Sequence, residues 1–397
     1  MGVISAIGQG KGAFAEALLA GKSAFGVMQR PGRQRQSAYL GAEIGEIACS
    51  AGISRQTLRA ASLSAQAALA VLEEAWNEAE LADVDPRRIG LIVGGSNVQQ
   101  RELTQLHEAY RESAAFLRPT YALSFMDSDL CGFCTAQFGI RGLAHTVGGA
   151  SASGQLAIIE AAKAVQADQV DVCIAVGALM DLSHWECRGL RAIGAMGSDR
   201  YAGMPALACR PFDRDHDGFI FGESCGAVVI ESSESSQRRG RKPYAALRGW
   251  GIVMDGNRNS DPSLEGEMQA IRIALETSAW TPTTIDYVNP HGTGSPVGDE
   301  TELKALRASG LDGFFLNATK SLIGHGLSAA GTVEVIATLL QMQSGRLHPT
   351  RNLENPIEPT FHWVANESVG HQIENALTTS MGFGGINTAI CWERYQP

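Results

Sequence analysis

Three stretches of this chain place side chains capable of acid–base or nucleophilic chemistry among small residues. In Gly148-Gly149-Ala150-Ser151-Ala152-Ser153-Gly154 a serine stands ahead of an apolar run, Gln155 to Val165, that reads as a helix. A side-chain-poor turn lets backbone N–H groups approach a ligand, and the helix N-terminus favours negative charge. Ser151 is then a nucleophile, a spectator, or the mark of a lost nucleophile. In His291-Gly292-Thr293-Gly294-Ser295 a histidine follows a predicted strand, and His325 lies five residues after Lys320 in a second glycine-containing loop. Taken singly, His291 is equally well a buried, hydrogen-bonded residue and His325 a surface loop histidine. Two imidazoles in matching loops, aimed at one cleft, can donate hydrogen bonds to a developing oxyanion. Glycines on both sides of Phe383, in Gly382-Phe383-Gly384-Gly385, let the backbone turn sharply and present an N–H.

Other candidates carry less. The acids of Asp213-Arg214-Asp215-His216-Asp217-Gly218 lack the terminal acid of a calcium loop at the required spacing, so they read as a solvated turn. Cys131 and Cys134 form a CxxC with no second pair, which reads as structural, and no metal site is predicted. Gly8-Gln9-Gly10-Lys11-Gly12 lacks dinucleotide-binding spacing and reads as a turn.

The elements that must position these residues follow an α/β grammar. Gly2 to Gly8 is strand-like and Phe14 to Ala20 a short helix. Ser54 caps a predicted long helix, about Arg55 to Glu80, and Gln99 to Leu117 reads as another. Short apolar runs at Gly90–Gly94, Asp171–Gly177 and Cys225–Glu231 read as buried strands. The polar, basic stretch Ser232 to Pro243 is the junction between two halves, 1–235 and 236–397. The second half repeats the grammar. Helices are predicted at Ser263–Ser278, Asp299–Ser309 and Ser328–Gln343, and strands at Asp286–Asn289, Gly313–Asn317, Ala376–Met381 and Ile386–Glu393, with Thr319–His325 as a loop. Each half has a Gly/Ala/Ser-rich turn opening its middle helix, Ser151–Gly154 and Leu327–Gly331, which points to an internal duplication.

Composition bounds the function. With 397 residues, 44% hydrophobic and 19% charged, the chain is globular, and its net charge of −10 argues against nucleic acid as a partner. An acidic partner would need local basic groups; Arg30, Arg33, Arg35, Arg55, Arg59 and the Arg238–Lys242 run are the candidates. Eight sparse cysteines fit a reduced, cytoplasmic protein, and the absence of apolar runs of about 18 residues predicts no membrane span.

In order along the chain, these motifs resemble the β-ketoacyl-acyl-carrier-protein synthases of the thiolase superfamily. The similarity rests on the turn at 150–154, on Pro211–Gly218 with Gly222-Glu223, on His291–Asp299, on Lys320–His325 with Ala329-Ala330-Gly331, and on Gly382–Gly385. It implies a duplicated, five-layered αβαβα thiolase fold, a homodimer, and an acyl carrier protein as partner, with the substrate on its phosphopantetheine arm and no other cofactor. It further implies catalytic roles for His291, His325 and Lys320, a pantetheine-binding pair in Thr293 and Ser295, and an oxyanion hole at the Ser151 and Phe383 N–H groups. The Phe383 ring is then a gate, while Glu223 and Lys320 hold the histidine loops. The family opens with an apolar strand before the residue matching Gly2, which leaves the edge of the first sheet open.

One departure decides the expected chemistry. The family carries a cysteine nucleophile where this chain has Ser151. A serine hydroxyl needs a positioned base to attack a thioester, whereas a thiol ionises near neutrality. Keeping both histidines while losing the thiol implies decarboxylation without chain transfer, as in the Cys-to-Ser malonyl-ACP decarboxylases of polyketide β-branching cassettes. The competing readings are a non-catalytic partner of chain-length-factor type, and an acyltransferase or hydrolase acting through Ser151. The first class usually lacks the histidines; the second is disfavoured because the turn misses the final glycine of a nucleophile elbow.

Overall fold

The computed structural model describes residues 1–35 and 37–396. Short runs of β-branched and small residues build two sheets of matching design. The first contains β1 (Gly2–Ser5), β2 (Ile89–Gly94), β3 (Ala144–Val147), β4 (Val172–Gly177) and β5 (Ser224–Glu231), in spatial order β1-β5-β4-β2-β3. The second contains β6 (Ala245–Met254), β7 (Tyr287–Asn289), β8 (Phe315–Leu316), β9 (Asn375–Gly382) and β10 (Ile386–Arg394), in order β6-β10-β9-β7-β8. Ranked along the chain, both sheets read 1-5-4-2-3. In both, the first two pairings are antiparallel and the last two parallel. Short strands extend the edges: Gly8–Gln9 beyond β1 and His362–Trp363 beyond β8. The first sheet thus ends on β1 and its hairpin partner, which settles the edge the sequence leaves open.

Between the sheets lie two helices, α1 (Ser153–Gln166) and α2 (Ala330–Ser344), each joining the third strand of its half to the fourth. α2 is buried almost all round, as its near-continuous small and apolar sequence requires. The two helices meet through glycine. A Cβ on Gly154 would lie 2.6 Å from the Thr332 nitrogen, and one on Gly331 would lie 2.9 Å from the Gln155 nitrogen. No larger residue permits this approach without displacing backbone. Helices Leu63–Ala79 and Ser128–Phe138 cover the outer face of the first sheet, and Leu264–Ser278 and Pro296–Ala308 that of the second. The result is five alternating layers with three stacked apolar cores. Among the described residues no helix is long and apolar enough to cross a membrane.

Local chemistry shifts several expected elements. The long helix from Arg55 is broken: Arg55–Ala60 ends, Ala61 turns extended, and Ser62 caps Leu63–Ala79 by accepting from the Ala65 N–H at 3.1 Å. The helix expected to run to Leu117 stops at Tyr110, and the strand expected at Gly313–Asn317 covers only Phe315–Leu316. The loop at Thr319–His325 contains one helical turn, Lys320–Ile323, and the polar junction contains a helix, Ser233–Arg238. Strands β3 and β6 had no apolar-run signal. β3 is a half-exposed edge, and β6 is interrupted by Arg248, where its pairing shifts register. Cys131 and Cys134 lie buried and free on the helix Ser128–Phe138.

Candidate functional site

The site forms where the opening turns of α1 and α2 face each other. The turn before α1 is held by Ser153, whose Oγ accepts from the Gly149 N–H at 2.9 Å and donates to the Ala150 carbonyl at 2.7 Å. Ala150 takes φ +46°, an unusual value for a residue with a Cβ. This lifts Ser151 towards a cavity of about 720 Å³, where it is 8% exposed. Gly382 packs on the same turn; a Cβ there would lie 2.2 Å from the Gly149 oxygen.

His325 comes from the loop before α2. Its backbone pairs with the Phe221 strand: its N–H donates to Ile220 at 2.7 Å, and its carbonyl accepts from Gly222 at 3.1 Å. The ring Nδ1 accepts from the Leu327 N–H at 3.3 Å. That bond assigns the ring proton to Nε2, which lies 2.9 Å from Ser151 Oγ. The imidazole is therefore the donor and the hydroxyl the acceptor, so His325 cannot take the serine proton.

His291 is fixed from three sides. Its N–H donates to Glu302 Oε1 at 2.6 Å and to Thr379 Oγ1 at 3.1 Å, and the Gly292 N–H reaches Glu302 Oε2 at 2.8 Å. Lys320 Nζ donates to the His291 carbonyl and lies 3.4 Å from Nδ1. A donor beside Nδ1 again leaves the proton on Nε2. Lys320 in turn is ion-paired with buried Glu334, whose carboxyl burial pushes up to about 7 against the pull of Lys320. The two imidazoles meet edge to face, 5.4 Å between centroids. Burial holds both well below the usual histidine range, aided by the Lys320 charge and, for His291, by His325. Both rings are neutral near pH 7, and each presents an Nε2–H.

Ser151, His291, Thr293, Ser295, His325 and Phe383 all line the one cavity. Thr293 Oγ1 donates to Ser295 Oγ at 3.0 Å, and Asp299 holds the loop by accepting from the Thr293 and Gly294 N–H groups at 3.1 and 3.0 Å. Phe383, 41% exposed, stands where the cavity meets solvent. Lys320 is not part of the lining; it acts on the site through His291.

Glu223 lies apart from this group. Its carboxylate accepts from Arg30 Nε at 2.6 Å and from the Ile44 N–H at 2.7 Å, and it pairs with Arg33 at 2.6 Å. It anchors Arg30, Arg33 and Ile44, and the backbone bonds to His325 come from its neighbours Ile220 and Gly222 instead. The same pairing removes two docking candidates: Arg33 is fully buried and Arg30 is committed to Glu223. Arg35, Arg239 and Arg241 are paired with Glu108, Glu231 and Glu80, while Arg55, Arg59, Arg238 and Lys242 are exposed without an ion-pair partner among the described residues. The Asp213 loop is a structural hub rather than a solvated turn. Asp213 Oδ2 accepts from the Glu354 and Asn355 N–H groups at 2.8 and 2.7 Å. Among the described residues no group of three or more His, Cys, Asp or Glu is placed to hold a metal ion.

Sequence reasoning named no role for Glu302, Asp299 or Glu334. The first two fall in the opening turns of the helix Pro296–Ala308, directly after the His291 loop, and acids at that place are the one local signal for a helix start that reaches back to a loop. Glu334 lies inside α2 and is brought to Lys320 only by the packing of that helix.

This geometry places two ring N–H donors in one cavity beside a hydroxyl that has no base among the described residues. The "Beta-ketoacyl synthase, N-terminal domain" model matches residues 1–236, and the "Beta-ketoacyl synthase, C-terminal domain" model matches residues 244–354. The chain is 61% identical to the "Polyketide biosynthesis malonyl-ACP decarboxylase PksF" of Bacillus subtilis strain 168, over 98% of this chain and 94% of that protein. It is 31% identical to the "3-oxoacyl-[acyl-carrier-protein] synthase 1" of Haemophilus influenzae, over 99% and 97%. A beta-ketoacyl synthase crystal structure from Burkholderia phymatum superposes with TM-score 0.89 at 25% identity, covering 100% of this chain and 98% of that one. A type II polyketide ketosynthase solved with its acyl-carrier protein shares the fold, with TM-score 0.86 at 24% identity over 100% and 98%. With both domain models met in order and the layered architecture shared, this chain belongs to the beta-ketoacyl synthase family.

Proposed function

We propose that the protein decarboxylates malonyl-ACP to acetyl-ACP in polyketide biosynthesis, as the name of its Bacillus subtilis relative states for that protein. One observation carries the reading: two neutral imidazoles present Nε2–H donors in a cavity where the expected thiol is a hydroxyl with no base. The malonyl thioester carbonyl accepts from both. As the bond to the carboxylate breaks, CO₂ leaves and the electron pair moves into an enolate whose oxygen the two donors hold. With no acyl group on Ser151, the enolate carbon takes a proton and acetyl thioester results. Thr293 and Ser295 receive the phosphopantetheine arm, Phe383 gates the cavity, the Ser151 and Phe383 N–H groups serve as a second oxyanion site, and Lys320 orients His291. The arm brings the substrate, and the proposed chemistry calls on no other cofactor. A β-branching cassette is the proposed setting for the acetyl-ACP.

The carrier partner fits the exposed, unpaired Arg55, Arg59, Arg238 and Lys242. A homodimer is supported by the unpaired edge of β3 and by exposed Phe116, Leu123, Phe125 and Met126, an apolar surface that a lone protomer would leave in water. Eight free cysteines, seven of them buried, support a reducing cytoplasm.

Incubation with malonyl-ACP and weighing of the carrier tests the reading. Acetyl-ACP is expected. Unchanged malonyl-ACP would favour the non-catalytic partner, and free malonate the Ser151 hydrolase. Ser151→Cys should become acylable by an acyl thioester, visible as a mass increment on the protein.

A further inference from the structure

The proposed reaction ends with an enolate carbon that must be protonated, and none of the residues assigned so far supplies that proton. His291 and His325 spend their Nε2–H bonds on the enolate oxygen. Six acidic side chains line the cavity, of which Asp261 is exposed. Three of the others are occupied by donors: Glu186 closes the capping box of Ser183, Asp299 accepts from the Thr293 and Gly294 N–H groups, and Asp255 accepts from the Asn257 N–H at 2.8 Å. Glu302 accepts from the His291 and Gly292 N–H groups and from Thr379 Oγ1.

Glu267 is different. It sits in the first turn of the helix Leu264–Ser278, lines the same cavity and is 2% exposed, and its Oε2 is buried without a hydrogen-bond partner. The charged groups that face it are Glu302, from the helix Pro296–Ala308, and Asp255, from the end of β6. Buried neighbouring carboxyls share a proton rather than both ionising. Three donors stabilise the charge on Glu302 and none stabilises it on Glu267, so the proton resides on Glu267. Burial, then Glu302, then Asp255 raise its proton affinity well above the usual carboxyl range.

We propose that Glu267 is the proton reserve of the reaction, delivering its carboxyl proton through cavity water to the α-carbon of the enolate. This rests on the decarboxylase reading. As CO₂ departs, a cavity water gives a proton to the α-carbon and takes one from Glu267; the resulting carboxylate is reprotonated from solvent. The net change is malonyl thioester plus one proton to acetyl thioester plus CO₂. A synthase profits from an enolate that survives to attack an acyl group, and a cavity acid opposes that fate.

The test uses the full chain with malonyl-ACP in equal parts H₂O and D₂O, reading the deuterium content of the acetyl group by mass spectrometry. Glu267→Gln keeps the size and neutrality of the acid but removes its transferable proton. The expected result is a shifted hydrogen-to-deuterium ratio, together with loss of the fall in turnover that the wild type shows as rising pH ionises Glu267. Glu267→Met, of similar length, must give the same shift. If the wild type forms acetyl-ACP while both variants match its isotope ratio and its pH profile, the proton-reserve role is overturned and the decarboxylase reading stands. If the wild type forms no acetyl-ACP, the decarboxylase reading itself falls.

Discussion

The two turns that open α1 and α2 share a backbone and several residue types, and differ in the side chain each shows the cavity. Ala150 and Leu327 both take positive φ, +46° and +52°. One residue further on, Ser151 and Ser328 occupy equivalent places in one turn of 3₁₀ helix. The Ala152 N–H donates to Gly149, and the Ala329 N–H donates to Gly326, at 2.9 and 3.2 Å. Gly154 and Gly331 then let the helices touch. Yet Ser151 opens on the cavity and meets an imidazole, while Ser328 is 2% exposed and donates to the Ala178 carbonyl at 2.8 Å. Conversely, the second turn supplies His325, and the corresponding residue of the first is Gly148. The two halves use one turn twice. The surroundings made one copy display a hydroxyl and the other an imidazole, and the two face each other.

The comparison can be broken at graded cost. The largest effect is expected at the donors: His325→Ala or His291→Ala should lower acetyl-ACP formation by at least about 10²-fold in a folded protein. A wild-type rate in either variant would remove the oxyanion role. Next come the paired glycines. Gly154→Val and Gly331→Val should each destabilise by about 3 kcal/mol and to a similar degree, because each would drive a side chain into the other helix's backbone. Thermal denaturation checks this, and a loss at only one of them would show the helix contact to be one-sided. Ser328→Ala should cost about 1 kcal/mol, through its lost bond to a buried carbonyl, while leaving turnover per folded molecule unchanged. Ser151→Ala should keep substantial decarboxylation, at a stability cost of at most about 1 kcal/mol for the acceptor lost to His325; loss of essentially all activity in a folded variant would make the hydroxyl essential.

The smallest expected effect is on the acid side of the pH profile. Burial and the Lys320 charge depress both histidines, so protons enter only well below 6.5. Turnover should show no inflection as pH falls through 6.5. Stability behaves oppositely: the unfolded histidines do take up protons there, so these two groups favour the fold above 6.5 and withdraw that support as pH drops below it. A rate that halves near 6.5, and does so equally in Glu334→Gln, would place an ionised imidazole in the mechanism.

Much of the site is legible along the chain because its residues lie in short local motifs. A histidine beside glycine, a small-residue turn before an apolar run and a phenylalanine between glycines each mark a backbone that must turn sharply or approach closely. The buried strands β2 and β4 are legible for the same reason, being continuous apolar runs. Strand β3 is not: Ala144, His145 and Thr146 have no local reason to be extended until β2 offers them its edge. Glu223 shows the limit of motif reading. It lies one residue from the His325 contact, but its carboxylate turns to Arg30 and Arg33, far away in sequence.

The sequence by itself determined the turns, the two-fold repeat of elements and the replacement of a thiol by Ser151, because each is written in residue type and spacing. Only the tertiary structure decided the protons. The Leu327 N–H and the Lys320 amine, both set by packing, place a hydrogen on Nε2 of each imidazole. Packing also leaves Glu267, which feels the charge of Glu302, as a buried acid whose Oε2 has no donor. The Leu327 contact is local to the His325 loop, but the Lys320–His291 and Glu267–Glu302 pairings join groups far apart in the chain, and no local pattern encodes those.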